Sequence, residues 1–321
     1  MKFQGRDIIT YPDLKKFPEG QISTFWMDLV ANGIGQNILI PVMVAKGTGD
    51  GPVLGLTAVV HGNELNGLSV IQKVFRDVDA TKLKGTLVGI PVLNVPSNLN
   101  HERRFTDGED LNRIFPGKEN GNESQVYAHR IVDRIVSQFD YLIDLHTASF
   151  GRINSYYIRV NMDDPISARM AKLHNADIIL DAKGEGGTLR NAARQLGIYA
   201  ITVEVGDPNK FQKGMIRSGL DGIDNVMIDL GMIEGNIDED KSEGTVYCQD
   251  SYWLYANRGG ILEVKPEVTQ LIKKGELIAT VKNIFGELLY EYTAPEDGIV
   301  IGKHVHPINQ TGGRILHLGL R

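Results

Sequence analysis

The chain has 321 residues, long enough for one large domain or two. Its 34 Lys and Arg against 40 Asp and Glu leave a formal charge of −6, and the two signs are mixed along the chain, so no basic stripe is available for nucleic acid. Hydrophobic and charged contents of 42% and 23% exclude a disordered chain, and the single cysteine, Cys248, excludes a disulfide-stapled scaffold. The first twenty residues lack the apolar run of a signal peptide, and the longest apolar stretches fall far short of the ~20 residues that span a bilayer. The expectation is a cytoplasmic protein with no membrane partner. Composition leaves the oligomeric state open, a homo-oligomer included.

Through the first two thirds, β-rich apolar runs alternate with helical patterns, the signature of an α/β fold with a mostly parallel or mixed central sheet covered by helices. Val53 to Val60 reads as a central strand. After it, Leu68, Ile71, Val74, Phe75 and Val78 recur at helical spacing and predict a helix from about Asn66 to Val78. Thr86 to Asn94 is a second strand, followed by a long polar stretch to about Asn122 without an obvious element. Loops of that length are usually functional or disordered. Val126 to Phe139 traces another helix and FDYLIDLHT a third strand ending near His146. A helical segment around Thr188 to Leu196 precedes a fourth strand, Ile198 to Gly206. At Ile237 to Gly244 an acidic linker marks a boundary, which divides the chain into a larger α/β domain, 1–240, and a small C-terminal all-β domain, 241–321.

The potential ligands fall at strand ends. His61 and Glu64 follow the first strand, His146 closes the third, and Glu204 lies near the end of the fourth. In a parallel sheet, side chains at the carboxyl ends of neighbouring strands converge. Two imidazoles and one carboxylate suit a catalytic zinc with an open position for water, whose pKa it would lower to about 7. Alone, His-x-x-Glu is common by chance, and each residue has a bland reading as a cap or a buried pair. Their joint placement favours a site. Arg103, Arg104, Asn112 and Arg113 cluster in the long polar stretch, where arginine forks can bind carboxylates or stabilise an oxyanion; the bland reading is a solvated loop paired with its own acids. His101, His129, His174, His304, His306 and His317 lack ligand spacing and are read as structural, and Cys248 as an inert small hydrophobe.

HGNELNG, FTDGEDLNRIFPG, the strand ending DLHT and the segment VEVG together resemble the succinylglutamate desuccinylase/aspartoacylase family, a branch of the zinc carboxypeptidase fold, over about Val53 to Gly206. The resemblance implies one Zn2+ per chain on His61, Glu64 and His146, with Glu204 as general base and Arg104 assisting the carbonyl oxygen. It also implies that Asn112 and Arg113 hold the carboxylate of the amino-acid half of the substrate, with the adjacent Arg103 as a further binding candidate. The β-rich tail resembles lipoyl and biotinyl carrier modules, but Lys282 lies in VKNIFGE rather than a carrier context, so the tail reads as an unmodified relative that shapes the site mouth. The expected activity is a zinc amidohydrolase that deacylates a small N-acyl amino acid or related amine. A carboxypeptidase is the alternative within hydrolases, and a non-catalytic small-acid-binding protein the alternative outside them. Residues selecting the acyl group are expected in Asn154 to Asp164, with Arg159 as the candidate, or in the tail.

Overall fold

A computed structural model describes residues 1–149, 151–184, 186–238 and 244–321. Most of the expected linker therefore lies outside the described residues. The strands in chain order begin with β1 (Lys2–Phe3), β2 (Arg6–Ile9), β3 (Gln21–Ala31), β4 (Asn37–Lys46), β5 (Gly49–Ala58), β6 (Lys84–Ile90) and β7 (Tyr141–His146). They continue with β8 (Arg152–Asn154), β9 (Tyr156–Val160), β10 (Ile178–Asp181), β11 (Tyr199–Val205) and β12 (Val246–Cys248). The helices are α1 (Asn66–Asp77), α2 (Val95–Asn100), α3 (Glu123–Arg134), α4 (Pro165–Leu173), α5 (Leu189–Gln195) and α6 (Lys213–Asp229).

One eleven-stranded sheet runs β1-β2-β3-β4-β6-β5-β7-β11-β9-β10-β12. Its centre, β6-β5-β7-β11, is parallel, and β9 turns antiparallel against β11. The fold is the mixed α/β architecture expected. Leu54 to Ala58 of β5 are buried on both faces because helices cover both, which is why this run is apolar but for Thr57. On one face α1 turns Val70, Ile71, Val74 and Phe75 inward, beside Ile223 and Val226 of α6. On the other, Tyr127, Ala128 and Ile131 of α3 pack with Leu189, Ala192 and Ala193 of α5. Helix α3 starts on a capping box between Asn122 and Gln125 and ends at Arg134, with a separate 3-10 turn over Val136–Gln138, so the single helix expected to Phe139 is broken.

The long polar stretch holds short elements that carry no apolar period. Helix α2 is started by the Asn94 side chain, which accepts from Ser97 N, with Pro96 in its first turn. A 3-10 turn over Leu111–Arg113 is started in the same way by Asp110. The rest of the loop is pinned by backbone bonds such as Gly62 N to Glu102 O, 2.8 Å.

The tail adds β13 (Asp250–Tyr255), β14 (Gly260–Val264), β15 (Leu271–Ile272), β16 (Leu277–Lys282), β17 (Leu288–Thr293), β18 (Gly298–His304), β19 (Ile308–Asn309) and β20 (Arg314–Leu320). They form two sheets, β13-β20-β18-β15 and β17-β16-β14-β19, around a core that includes Ile272, Val281, Val300 and Leu316. Two strands cross the boundary read from the sequence. Strand β12 pairs with β10 in the large sheet, and β8 pairs with β18 in the tail. Tyr157, Ile178 and Leu180 share an apolar cluster with Cys248, Ile299 and Ile301, and burial pushes the Cys248 thiol up to about 11.

Candidate active site

The site lies at the carboxyl ends of β5, β7 and β11. The turn leaving β5 carries Val59 at φ 57°, a left-handed conformation costly for a β-branched residue. It is held there by Asn94, whose backbone N–H donates to Val59 O and whose side chain donates to Val60 O. Next comes Gly62, where a Cβ would lie 2.1 Å from the Ser97 backbone, so glycine alone lets the turn pack on α2. The consequence is that His61 and Glu64 are buried and face the end of β7.

One atom from each of His61, Glu64 and His146 lies within 4.8 Å of the other two. His61 Nδ1 is 2.8 Å from Glu64 Oε1, and His146 Nδ1 is 2.9 Å from Glu64 Oε2. The outer nitrogens are tied to carboxylates, His61 Nε2 to Asp110 Oδ1 at 3.0 Å and His146 Nε2 to Asp144 Oδ2 at 2.8 Å. Carboxylates behind imidazoles fix ring orientation and aim both Nδ1 atoms at a common point, where, deprotonated, they would serve with Glu64 as donors to a divalent cation. Asp144 is fully buried and accepts from Thr57 Oγ1 at 2.7 Å, its register partner on β5. Burial alone would raise the Glu64 carboxyl, but the two imidazoles outweigh it and hold it well below the usual carboxylate range.

Glu204 stands beside His146 in the parallel register of β11 and β7. Its carboxyl is raised, by burial first and by the charge of Glu64, despite the opposing charge of His146. Two carboxylates in one site are thus driven apart, one fixed as an anion and one eased toward accepting a proton. Asn154 Nδ2 donates to Glu204 Oε2 at 3.1 Å.

The two adjacent arginines part company. Arg103 turns inward, donating to both oxygens' side of the cluster: to Asp110 Oδ2 at 2.8 Å, to Glu64 Oε1 at 3.3 Å and to Ser149 Oγ. Arg104 is exposed and donates to Gly108 O at 2.6 Å. Both line a cavity of about 820 Å³ that also contains Asn112, Arg113, Arg159 and Glu204. Asn112 Oδ1 accepts from Leu189 N at 2.9 Å, which docks the start of α5 on this loop. Arg113 is exposed, and Arg159 Nε donates to Tyr157 Oη at 3.1 Å. All nine sequence-derived site residues therefore border one cavity.

Sequence reasoning passed over several neighbours. Asp144 was detectable, since residues two apart on a strand share a face and Asp144 precedes His146 by two. Asp110 and Ser149 gave no such signal. The tail supplies a wall with Tyr252, Trp253, Arg314 and His317. His317, expected to be structural, stacks on Trp253 at 5.1 Å and donates or accepts at Ser251 Oγ at 2.8 Å. Burial, with Arg159, Arg314 and Arg152 nearby, holds it well below the usual imidazole range, so it is neutral.

Residues 50–230 match the model of the succinylglutamate desuccinylase/aspartoacylase catalytic domain. An N-alpha-acetyl-L-2,4-diaminobutyric acid deacetylase of Halomonas elongata is 27% identical over 284 residues, 83% of this chain and 81% of that protein. A succinylglutamate desuccinylase of Pseudomonas paraeruginosa is 29% identical over 176 residues, 50% of this chain and 53% of that enzyme, so the match spans about half of it. Among solved structures, a succinylglutamate desuccinylase/aspartoacylase from Rhodobacter sphaeroides superposes with TM-score 0.87 at 24% identity, covering 98% of both chains. The product-bound ectoine utilization protein EutE (DoeB) from Ruegeria pomeroyi gives 0.86 at 21% identity, covering 95% of this chain and 98% of that one. Both likenesses extend through the tail and show the fold.

Proposed function

We propose, for a chain that belongs to the succinylglutamate desuccinylase/aspartoacylase family of deacylases, that its cavity hydrolyses the amide bond of a small N-acyl amino acid or related N-acyl amine. The observation that carries this reading is the meeting of His61, Glu64 and His146 within 4.8 Å, with Glu204 beside His146 in the register of the next strand. A zinc ion held by these three side chains, one per chain, would supply a Lewis acid and an acidified water. Thiolate-free His and carboxylate donors, each imidazole backed by a carboxylate, fit that ion.

Glu204 takes the proton of the attacking water on its carboxylate and returns it to the nitrogen of the leaving amine, a step typically worth 10²–10⁴-fold. Arg104, exposed at the cavity and bonded to a carbonyl rather than a carboxylate, keeps donors for the acyl oxygen as negative charge develops there. Arg103 is engaged by Asp110 and Glu64, and its part is to hold the loop against the cluster. Asn112 Nδ2 and the Arg113 guanidinium bind the carboxylate of the amino-acid half. Arg159, with Arg152 and Arg314 across the cavity, favours an anionic substrate. The names of the relatives describe removal of an N-alpha-acetyl group from diaminobutyric acid in Halomonas and of a succinyl group from succinylglutamate in Pseudomonas, which supports this substrate class.

The test pairs metal analysis of the purified protein with amine release from N-acetyl and N-succinyl amino acids, against release of C-terminal residues from dipeptides. Bound zinc, deacylation of an N-acyl amino acid, and loss of both in His146→Ala are expected. Preference for dipeptides would make the protein a carboxypeptidase, and a metal-free, inert protein would leave only a binding function.

A further inference from the structure

We infer that Asn154 is a positioning residue for Glu204, and that the tail domain sets it in place through Gly302. This rests on Glu204 acting as the base of an amide hydrolase. Asn154 is buried at 8% exposure at the end of β8. Its side chain reaches Glu204 Oε2 at 3.1 Å, and because a carboxylate only accepts, the amide must present its Nδ2 there. One carboxylate oxygen is thereby fixed and the other is left to exchange the proton.

What holds Asn154 is not the catalytic sheet. Strand β8 is three residues long and is paired by β18 of the tail, with Asn154 opposite Gly302 and Ile153 opposite Lys303. Ser155, the next residue, donates both its N–H and its hydroxyl to Ile301 O at 3.0 Å. At Gly302 a Cβ would lie 2.4 Å from Asn154 Oδ1 and 2.8 Å from Ile153 O. No side chain fits there while the amide keeps its place. Gly302 has no left-handed φ, so the close approach and not the backbone conformation is what demands glycine. The tail strand thus acts as a template that aims an amide donor at the base, about 100 residues away in sequence.

The experiment measures kcat, KM and zinc content of the full-length enzyme and its Asn154→Ala, Asn154→Asp and Gly302→Ala variants, with thermal melting as the check on folding. Asn154→Ala should lower kcat about tenfold or more with KM and zinc content unchanged, the loss expected for a hydrogen bond to a charged group. Asn154→Asp has the same shape but sets a carboxylate against a carboxylate, and should be no better than alanine; a space-filling role would leave it close to wild type. Gly302→Ala should lower kcat in the same way, and adding it to Asn154→Ala should cost little more, since both act through one contact. Wild-type kcat in Asn154→Ala or Asn154→Asp, or full multiplication of losses in the double variant, would overturn the inference while an active wild type kept the hydrolase reading intact. An inactive wild type would sink the hydrolase reading, and this inference with it.

Discussion

Replacing Asp144 by Asn tests the proposed metal centre without touching a proposed ligand. Asp144 is fully buried, 2.8 Å from His146 Nε2, and accepts from Thr57 Oγ1 at 2.7 Å. An asparagine there has one acceptor oxygen for two donors. If that oxygen stays on His146, the tautomer survives and only the charge behind the ring is lost. If it stays on Thr57, the amide N–H₂ faces Nε2, the ring proton moves to Nδ1, and the lone pair that Nδ1 would offer a metal disappears. The first outcome removes the charge assistance of one hydrogen bond, the second most of a ligand. Zinc affinity should fall between tenfold and a hundredfold, about 1.4–2.7 kcal/mol. Competition against a chromophoric chelator near neutral pH measures this directly, and melting of the metal-free protein confirms that the fold persists. Asp110→Asn should weaken zinc by a similar factor through His61. A folded Asp144→Asn protein that held zinc within twofold of wild type would refute the reasoning, because Nδ1 of His146 would then not depend on what holds Nε2.

Glu204→Gln should retain zinc and lose turnover by 10²–10⁴-fold, checked by metal analysis beside steady-state rates. Arg113→Ala should raise KM for N-acyl amino acids while leaving kcat within a few fold, as expected when binding common to ground and transition states is removed. His174 is buried against Tyr156 Oη at 2.9 Å, and burial pulls its imidazole down to about 3. The unfolded chain binds its proton below about pH 6.5, so the stability that neutral His174 contributes is complete above that pH and falls by roughly 1.4 kcal/mol per pH unit toward pH 3. Urea midpoints of His174→Phe between pH 6.5 and 4 should show a shallower acid loss than wild type; equal slopes would disprove the assignment.

Short-range physics made much of this protein readable. The stripe from Leu68 to Val78 predicted α1 within a residue, and the apolar run at the centre of β5 announced a sheet covered on both faces. Strands β3 and β4, β9 and β10, and helix α6 were not recognised: β3 and β4 alternate buried with half-buried positions, but half-buried residues such as Trp26, Leu39, Pro41 and Met43 are apolar too, and β9 and β10 are short, nearly all-buried runs. Helix α2 escaped because it is six residues of polar sequence whose start is a side-chain cap.

The amino-acid order determined which polar residues meet, since His61, Glu64, His146 and Glu204 all fall where strands end and parallel neighbours bring such ends together. It could not determine what stands behind them. The bond of Asp110 to His61, the reach of Arg103 to Glu64, the stacking of Trp253 on His317, and the seating of Asn154 opposite Gly302 join segments separated by tens to more than a hundred residues. Periodicity and capping act within one or two turns of chain, whereas these contacts exist only once distant strands and loops have come together, and only the folded structure decides them.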